Sequence, residues 1–125
     1  MDKKHEVLIS LGSNYNAEAN MEKAQTNMRK NFTEVKFSRI LSTEPIGMSG
    51  PNFLNCLCRL HTSFSQESML KLSKQLEKEL GDSKQLRQQG QVVIDIDILS
   101  YDNIRLHVSD WQRPYINVLL SDIEE

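Results

Sequence analysis

The sequence contains little that would indicate a secreted, membrane-spanning or nucleic-acid-binding protein. Cysteine occurs only twice among 125 residues, and Cys56 and Cys58 on one strand face would lie too far apart for an undistorted disulfide. We therefore predict two buried thiols in a reducing compartment. The net charge of −2 gives no global basic field that would attract nucleic acid or an anionic membrane. Because residues 1–5 are polar and no apolar run approaches about 20 residues, we expect a cytoplasmic protein.

Several chemical motifs are also absent. The sequence has no Gly-rich loop ending in Lys-Ser or Lys-Thr and no G-x-G-x-x-G turn, so any nucleotide must be held by metal ions and scattered cations. His5, His61 and His107 have no metal-binding spacing, and no cysteine or serine has an adjacent base that would make it a nucleophile. The length predicts one domain over residues 1–125, whose core needs neither disulfides nor a structural metal.

Apolar periodicity predicts four strands and two helices in the order β-α-β-β-α-β, followed by a tail. The first helix should begin at Ala17 with Asn16 as N-cap, and the second should run from the N-cap Ser65 to the C′ residue Gly81. A phase slip before Ile40 indicates a bulge in the second strand. The strands are expected at 6–11, 33–42, 53–62 and 92–99.

This order is typical of an α+β, ferredoxin-like sandwich, in which the helices pack on one face of a mainly antiparallel sheet. The opposite face of the sheet is then left free for a ligand. Two loops connect the elements: 43–51 is rich in glycine and proline, whereas 82–91 is polar with almost nothing to bury. We expect the second loop to be mobile in the free protein.

The stretch Val93–Leu99 carries the most specific pattern. Isoleucines at every second position should face the helix-covered core, and the same period places Asp95 and Asp97 together on the other face. Two carboxylates this close repel unless a cation intervenes. Mg²⁺ accepts such oxygen ligands and completes its shell with water and phosphate. The pattern therefore indicates a magnesium-nucleotide site, with two solvated aspartates as the ordinary alternative.

The other candidates are less specific by themselves. Phe53 and Asn55 share the predicted free face, where an aromatic ring beside an amide would suit a flat heterocycle. Lys84 and Arg87 are the cations nearest in sequence to the aspartates, and Glu77 flanks the apolar stripe of the second helix. Each also has an ordinary explanation, as a cross-strand pair, a solvated loop charge or a surface helix residue.

Three stretches, in matching order and spacing, resemble the 6-hydroxymethyl-7,8-dihydropterin pyrophosphokinase family. The correspondence extends from about residue 6 to residue 102. The stretches are Leu11-Gly12-Ser13-Asn14; Ser42-Thr43-Glu44-Pro45-Ile46-Gly47 followed by Pro51-Asn52-Phe53-Leu54-Asn55; and Ile94-Asp95-Ile96-Asp97-Ile98-Leu99.

The resemblance implies a ferredoxin-like enzyme of folate synthesis that transfers pyrophosphate from ATP to the hydroxymethyl group of the dihydropterin, leaving AMP. It implies that Asp95 and Asp97 bridge two Mg²⁺ ions, and that Phe53 and Tyr115 stack on the pterin. The pterin edge would be read by Thr43, Pro45, Ile46 and Asn55. The ATP contacts would be Glu77, Lys84, Arg87 and Ile98, with Lys84 and Arg113 as catalytic cations. The expected partners are these small molecules, without nucleic acid or membrane, and the protein should be a monomer.

The sequence departs from that family at two places. Where the family usually carries arginines and a tryptophan in its second loop, this chain has Asp82, Gln89 and Val92. A Pro-His segment that normally follows Trp111 is missing. A divergent relative that binds the pterin or nucleotide without turnover, or with weak turnover, is therefore the alternative to an active enzyme.

Overall fold

The computed structural model describes residues 4–47 and 49–124. Met48, in the predicted glycine- and proline-rich loop, lies outside the described residues, as do residues 1–3 and 125. The elements are β1 (His5–Ser13), α1 (Ala17–Asn31), β2 (Glu34–Phe37), β3 (Leu41–Thr43), β4 (Phe53–Thr62), α2 (Gln66–Glu79), α3 (Lys84–Gln88), β5 (Asp95–Tyr101), β6 (Ile104–Arg105), a 3-10 helix (Val108–Gln112) and α4 (Pro114–Leu120).

The strands form one sheet in the order β2-β4-β1-β5-β6, with β3 also paired to β4. Every pairing is antiparallel. Strands β1 and β2 both pair with β4, one on each side, so they run parallel to each other with β4 inserted between them. This split β-α-β arrangement confirms the predicted ferredoxin-like α+β fold.

The main core lies between the sheet and the helices α1 and α2. Met21, Ala24 and Met28 of α1, with Met69 and Leu76 of α2, pack against alternate residues of β1, β4 and β5. Both cysteines are free and buried, as predicted. None of the helices in the described part of the chain is long and apolar enough to cross a membrane.

The predicted caps of α2 are confirmed, whereas that of α1 takes a different form. The Ser65 hydroxyl accepts the Ser68 N–H at 3.1 Å, and Gly81 adopts the left-handed φ of 101° that a C′ glycine permits. Asn16 does precede α1, but it has a φ of 43° and makes no side-chain cap hydrogen bond. Asn20 instead donates its amide N–H to the Tyr15 carbonyl at 2.6 Å.

The predicted second strand is divided into β2 and β3. Phe37 pairs with Cys58, and Leu41 pairs with Asn55. The three residues 38–40 between β2 and β3 therefore lie opposite only the two residues 56–57 of β4. The expected phase slip is therefore confirmed, but it interrupts the strand because the Ser38 hydroxyl accepts the Leu57 N–H at 2.8 Å. Likewise β5 begins at residue 95, three residues later than predicted.

The face opposite α1 and α2 is only partly free, which corrects the expectation from sequence. Helix α4 packs there and forms a second core from Ile116 and Leu119 of the helix and Leu8, Leu57 and Leu99 of the sheet. The apolar run predicted at 115–123 thus contains a short helix that covers part of the sheet face expected to bind a ligand. The open remainder is bounded by α4 itself, and it contains the candidate site.

Candidate functional site

Strand β5 places the two aspartates opposite the helix-side core. Ile96 and Ile98 are almost fully buried in that core, whereas Asp95 and Asp97 are half-buried on the other face. The register against β1 then slips: Ile9 pairs with Ile98, but Leu8 pairs with Ser100. The extra residue, Leu99, enters the second core. The predicted alternation is therefore confirmed over the residues that matter for the carboxylates.

Both carboxylates line a cavity of about 210 Å³ on the ligand face. This volume is below the roughly 300–1,000 Å³ of sites for drug-sized ligands, so it suits a small flat molecule. The cavity brings together most of the residues singled out from sequence: Thr43, Ile46, Phe53, Asn55, Asp95, Asp97, Arg113 and Tyr115. Pro45 is not among its lining residues, although both of its neighbours in the loop are.

Gly12 forms the floor of the cavity between β4 and β5. It pairs with Asn55 on one side and with Asp95 on the other, so those two residues stand roughly 10 Å apart across two strand spacings. A Cβ at Gly12 would lie 3.2 Å from the Asn55 Oδ1 atom and 3.9 Å from the Phe53 ring. The missing side chain therefore leaves room for the groups on either side.

Asn55 is held in place by the neighbouring strand β3. Its side-chain Nδ2 donates to the Thr43 Oγ1 atom at 2.6 Å, and only 6% of the residue is exposed. Because one end of the amide is engaged, its orientation towards the cavity is fixed before any ligand arrives. The Thr43 side chain thus supports Asn55, a role that the sequence pattern did not indicate.

Burial first, and then the neighbouring Asp95 carboxylate, raises the pKa of Asp97 to about 7. Asp110 also lines this cavity, and its negative charge raises the pKa of Asp97 further, whereas the Lys74 ammonium lowers it only in part. Such a carboxylate pair is unfavourable without a cation, which is the property expected of hard-metal ligands. Within the described residues, no group of three or more His, Cys, Asp or Glu is arranged to hold a metal.

A second cavity, of about 700 Å³, lies next to the first and shares Asp97 with it. Its walls are largely apolar, since side chains from α2, β5 and the segment after β6 converge there. Ile98, which the resemblance assigned to the ATP contacts, is one of them. The lining residues that matter here are Leu70, Lys74, Ile96, Asp97, Ile98 and Leu106.

Glu77 occupies the outer edge of β5 between these elements. Its Oε2 atom accepts the Ile96 N–H at 2.7 Å, and Lys74 approaches its other oxygen at 3.4 Å. Burial raises the pKa of Glu77, and the Ile96 hydrogen bond lowers it only in part. One oxygen of this carboxylate is therefore committed to the strand, which leaves the other for Lys74 or a ligand.

The polar segment 82–91 contains helix α3, where a loop without structure was expected. Ser83 caps the helix by accepting the Leu86 N–H at 3.2 Å. Arg87 ties it to the sheet by contacting Asp82 at 2.7 Å and Asp95 at 3.3 Å. The sequence did not reveal these ties because Asp82 and Asp95 approach Arg87 only in the folded chain. Lys84 is exposed at the start of α3 and does not line the first cavity.

Asp110 is a cavity residue that sequence reasoning missed. It lies in the 3-10 helix and pairs with Arg113 at 3.2 Å, and Arg113 donates to the Tyr115 hydroxyl at 3.3 Å. The only available signal was the i, i+3 spacing of an acid and a base, which is common on any surface. Its position over the cavity depends on Trp111, whose Nε1–H donates to the Leu99 and Leu106 carbonyls at 3.1 Å each.

Comparison with known proteins gives a consistent result. The sequence model of a family described as 7,8-dihydro-6-hydroxymethylpterin-pyrophosphokinase matches residues 8–125. The chain is 32% identical to a 2-amino-4-hydroxy-6-hydroxymethyldihydropteridine pyrophosphokinase of Porphyromonas gingivalis, covering 94% of this chain and 89% of that protein. A Bacillus subtilis protein with the same description is 33% identical, over 86% of this chain and 66% of its own length.

A longer plant protein is also similar. The chain is 30% identical to the folate synthesis bifunctional protein of Arabidopsis thaliana over 94% of its own residues. It spans only 27% of the length of that protein. The likeness therefore concerns one part of the plant protein.

Proposed function

Because the chain belongs to the 7,8-dihydro-6-hydroxymethylpterin-pyrophosphokinase family, we propose that it transfers pyrophosphate from ATP to 6-hydroxymethyl-7,8-dihydropterin. The products would be AMP and the pterin pyrophosphate, and the reaction would be a step of folate synthesis. We further propose that it does so as a monomer in the cytoplasm, where ATP is available. Support comes from the similarity to the pyrophosphokinase of P. gingivalis, of whose length the chain covers 89%.

The observation that carries this proposal is the set of residues that line the first cavity. A carboxylate pair, Asp95 and Asp97, and an aromatic-amide group of Phe53, Asn55 and Tyr115 line the same 210 Å³ space. The first group suits a metal-bound phosphate, and the second suits a flat heterocycle with hydrogen-bonding edges. An enzyme that joins these two chemical groups needs both in one place.

The carboxylate pair fits the magnesium that the family implies. Asp97 is destabilised as an anion by burial and by Asp95, so a bound cation would relieve the repulsion. We propose that Asp95 and Asp97 hold two Mg²⁺ ions, whose remaining ligands come from the triphosphate and water. Magnesium held there would neutralise charge on the phosphates during transfer.

The chain's own residues bind and orient the two substrates. Phe53 and Tyr115 would stack on the pterin, while Asn55 and the backbone around Thr43 and Ile46 would bind its edge. The hydroxymethyl oxygen would form a bond to the β-phosphorus and release its proton to water, as the bond from the β-phosphorus to the α,β-bridging oxygen breaks and leaves AMP. Positioning supplies much of the rate enhancement of such a reaction, and it requires no covalent intermediate with the protein.

The nucleotide would lie in the second cavity, which begins at Asp97. Its apolar wall of Leu70, Ile96 and Ile98 suits a purine ring. Lys74 lines the same wall, and Glu77 supports it at the edge of β5. Lys84 and Arg113 are the proposed catalytic cations, and Arg87 would contribute as its contacts with Asp82 and Asp95 rearrange on binding.

A direct assay tests the proposal. Wild-type protein incubated with ATP, Mg²⁺ and the dihydropterin should release AMP, measured by ion-exchange chromatography, and should form the pterin pyrophosphate. The Asp97→Asn variant should release almost none while remaining folded. Omission of the pterin controls for simple ATP hydrolysis. Absence of pterin-dependent AMP from folded wild type would overturn the enzyme proposal.

A binding-only relative is the second candidate, and one observation favours it. Arg87, which occupies the loop near the carboxylates, is already neutralised by Asp82 and Asp95. The phosphates would then meet fewer free cations than a fast enzyme requires. Calorimetry that shows dihydropterin binding by a protein without pterin-dependent AMP release would support this candidate.

A further inference from the structure

The 3-10 helix is fixed over the cavity by its own tryptophan. The Trp111 indole N–H donates to two carbonyl groups, those of Leu99 in β5 and Leu106 after β6. The Arg105 guanidinium covers the outer side of the indole at 4.2 Å from the ring centroid. The residue before this anchor, Asp110, is therefore held at a defined place on the cavity wall.

Asp110 begins a chain of contacts that crosses the cavity wall. Its Oδ1 atom lies 3.2 Å from Nη2 of Arg113, and Nη1 of Arg113 lies 3.3 Å from the Tyr115 hydroxyl oxygen. The two ends of one guanidinium are thus engaged by different partners. A planar guanidinium held at two separate nitrogens has a fixed plane and position, whereas a single contact would leave it free to rotate.

We propose that Asp110 is a positioning residue that holds Arg113 between the carboxylate pair and Tyr115. This inference rests on the proposed function, because it concerns the arginine assigned to the phosphates in that reaction. Asp110 contacts neither substrate in this arrangement and acts only through Arg113. Because Arg113 also contacts Tyr115, the position of the proposed phosphate-binding cation is linked to that of the proposed pterin-stacking ring.

The physical basis is the cost of ordering a long side chain. Arg113 is 41% exposed, so solvent alone would not hold its guanidinium in place. The Asp110 ion pair fixes it before substrates bind, which reduces the entropy lost on reaching the transition state. Asp110 also adds negative charge to a site for phosphates, which is unfavourable for ground-state binding. Its benefit should therefore appear in kcat rather than in substrate affinity.

A double-mutant cycle tests this inference. Asp110→Asn preserves side-chain shape and should fold normally, and we expect it to lower kcat about tenfold, the scale of a misplaced catalytic group. The KM values for ATP and dihydropterin should change less than about threefold, since charge repulsion is relieved as positioning is lost. In an Arg113→Lys background, which cannot engage both partners, Asp110→Asn should have no further effect. The matched control is Asp122→Asn, which breaks an aspartate–arginine pair with Arg39 outside the cavity.

The outcomes separate this inference from the proposed function. Equal kcat losses from Asp110→Asn with and without Arg113 would overturn the positioning role, as would a loss seen only in thermal stability. If folded wild type lacks turnover, the proposed function fails, and the order of the Arg113 side chain is measured directly by nitrogen-15 relaxation of its Nε–H group. An Arg113 side chain that becomes mobile in Asp110→Asn but not in Asp122→Asn would support the positioning role, and unchanged order in Asp110→Asn would overturn it.

Discussion

Asn55 donates its side-chain N–H to the Thr43 hydroxyl at 2.6 Å, which joins β4 to β3 at the wall of the cavity. The amide is almost completely buried, so this contact both satisfies it and orients it. The proposed recognition of the pterin at this wall would therefore depend on both residues.

Replacement of Thr43 should impair pterin binding through Asn55. Thr43→Val preserves shape but leaves the buried amide N–H without its acceptor, at a cost of about 1–3 kcal/mol. We expect a lower dihydropterin affinity and lower stability in the same variant, measured by calorimetry and urea unfolding. Thr43→Ser, which keeps the hydroxyl, is the matched control. Equal behaviour of the two variants would show that the hydroxyl is unimportant.

Removal of the Phe53 ring should weaken pterin binding without unfolding the protein. Phe53→Ala should cost about 1–3 kcal/mol of dihydropterin affinity, the scale of one lost stacking partner. The ring lines the cavity and lies outside the helix-side core. Phe64→Ala is the control, because Phe64 packs against Phe32 away from the cavity and should affect only stability. A Phe53→Ala variant that unfolds would contradict the assignment.

Binding of ATP should require Mg²⁺ because the carboxylate pair repels free phosphates. Calorimetry with and without Mg²⁺ should show tight binding only when the metal is present. Asp95→Asn and Asp97→Asn should each weaken that binding by at least about tenfold, as expected for loss of a charged metal ligand. Glu79→Gln, an exposed change on α2, serves as the control. Equal ATP affinity with and without the metal would refute the metal assignment.

The metal-free protein should gain stability when Asp97 is neutralised. Burial and Asp95 raise the pKa of Asp97 from 3.8 to about 7, so its ionisation opposes folding progressively as pH rises from about 4 to 7. At pH 8 with a chelator, Asp97→Asn should be more stable than wild type by about 1–2 kcal/mol, after allowance for solvent screening. The difference should shrink towards zero near pH 4, and Mg²⁺ should reduce it at pH 8.

Urea unfolding across this pH range measures the effect, and Asp122 gives a control of opposite sign. The backbone and side-chain hydrogen bonds from Arg39 lower the pKa of Asp122, so Asp122→Asn should lose stability above pH 4. A wild-type protein as stable as Asp97→Asn at pH 8 without metal would mean that the Asp97 carboxylate is well solvated.

The side chain of Lys84 should affect mainly the rate of AMP release. Lys84 is exposed at the start of α3 in the free protein, so any contact with phosphate must form as the substrates are enclosed. Lys84→Ala should therefore lower the rate of AMP release more than it weakens ATP binding. Lys71→Ala, which removes an exposed lysine paired with Glu67 on α2, is the control. Full activity of Lys84→Ala would assign the cation to Arg87 or Arg113.

Much of the fold could be predicted because local chemistry and global pattern agree. The period of two in β5 placed Asp95 and Asp97 correctly, and the Ser65 and Gly81 caps bounded α2. Several cavity residues were not among the candidates, and for Asp110 and Gly12 the local sequence does not indicate a place in the cavity. Gly12 matters only because Asn55 and Asp95 pair on either side of it, and such cross-strand neighbours are not visible in one sequence.

The errors have the same physical origin. Helix α3 is anchored by Arg87 to Asp82 and Asp95, which lie outside the helix on either side of it in sequence. The polar composition of the segment does not indicate those contacts. Helix α4 covers the ligand face because Ile116 and Leu119 meet Leu57 of β4. An apolar run shows that burial is needed, but it does not show against which surface.

The cavity walls come from segments far apart in sequence, from Ser10 and Gly12 in β1 to Arg113 at the start of α4 and Tyr115 within it. During synthesis, β1, β4 and β5 can pair as soon as the residues up to about 101 have emerged. The cavity is complete only when residues 108–116 have also been made and Trp111 has docked. The proposed substrates would therefore stabilise the folded protein by binding to it, but they could not assist the earlier stages of its folding.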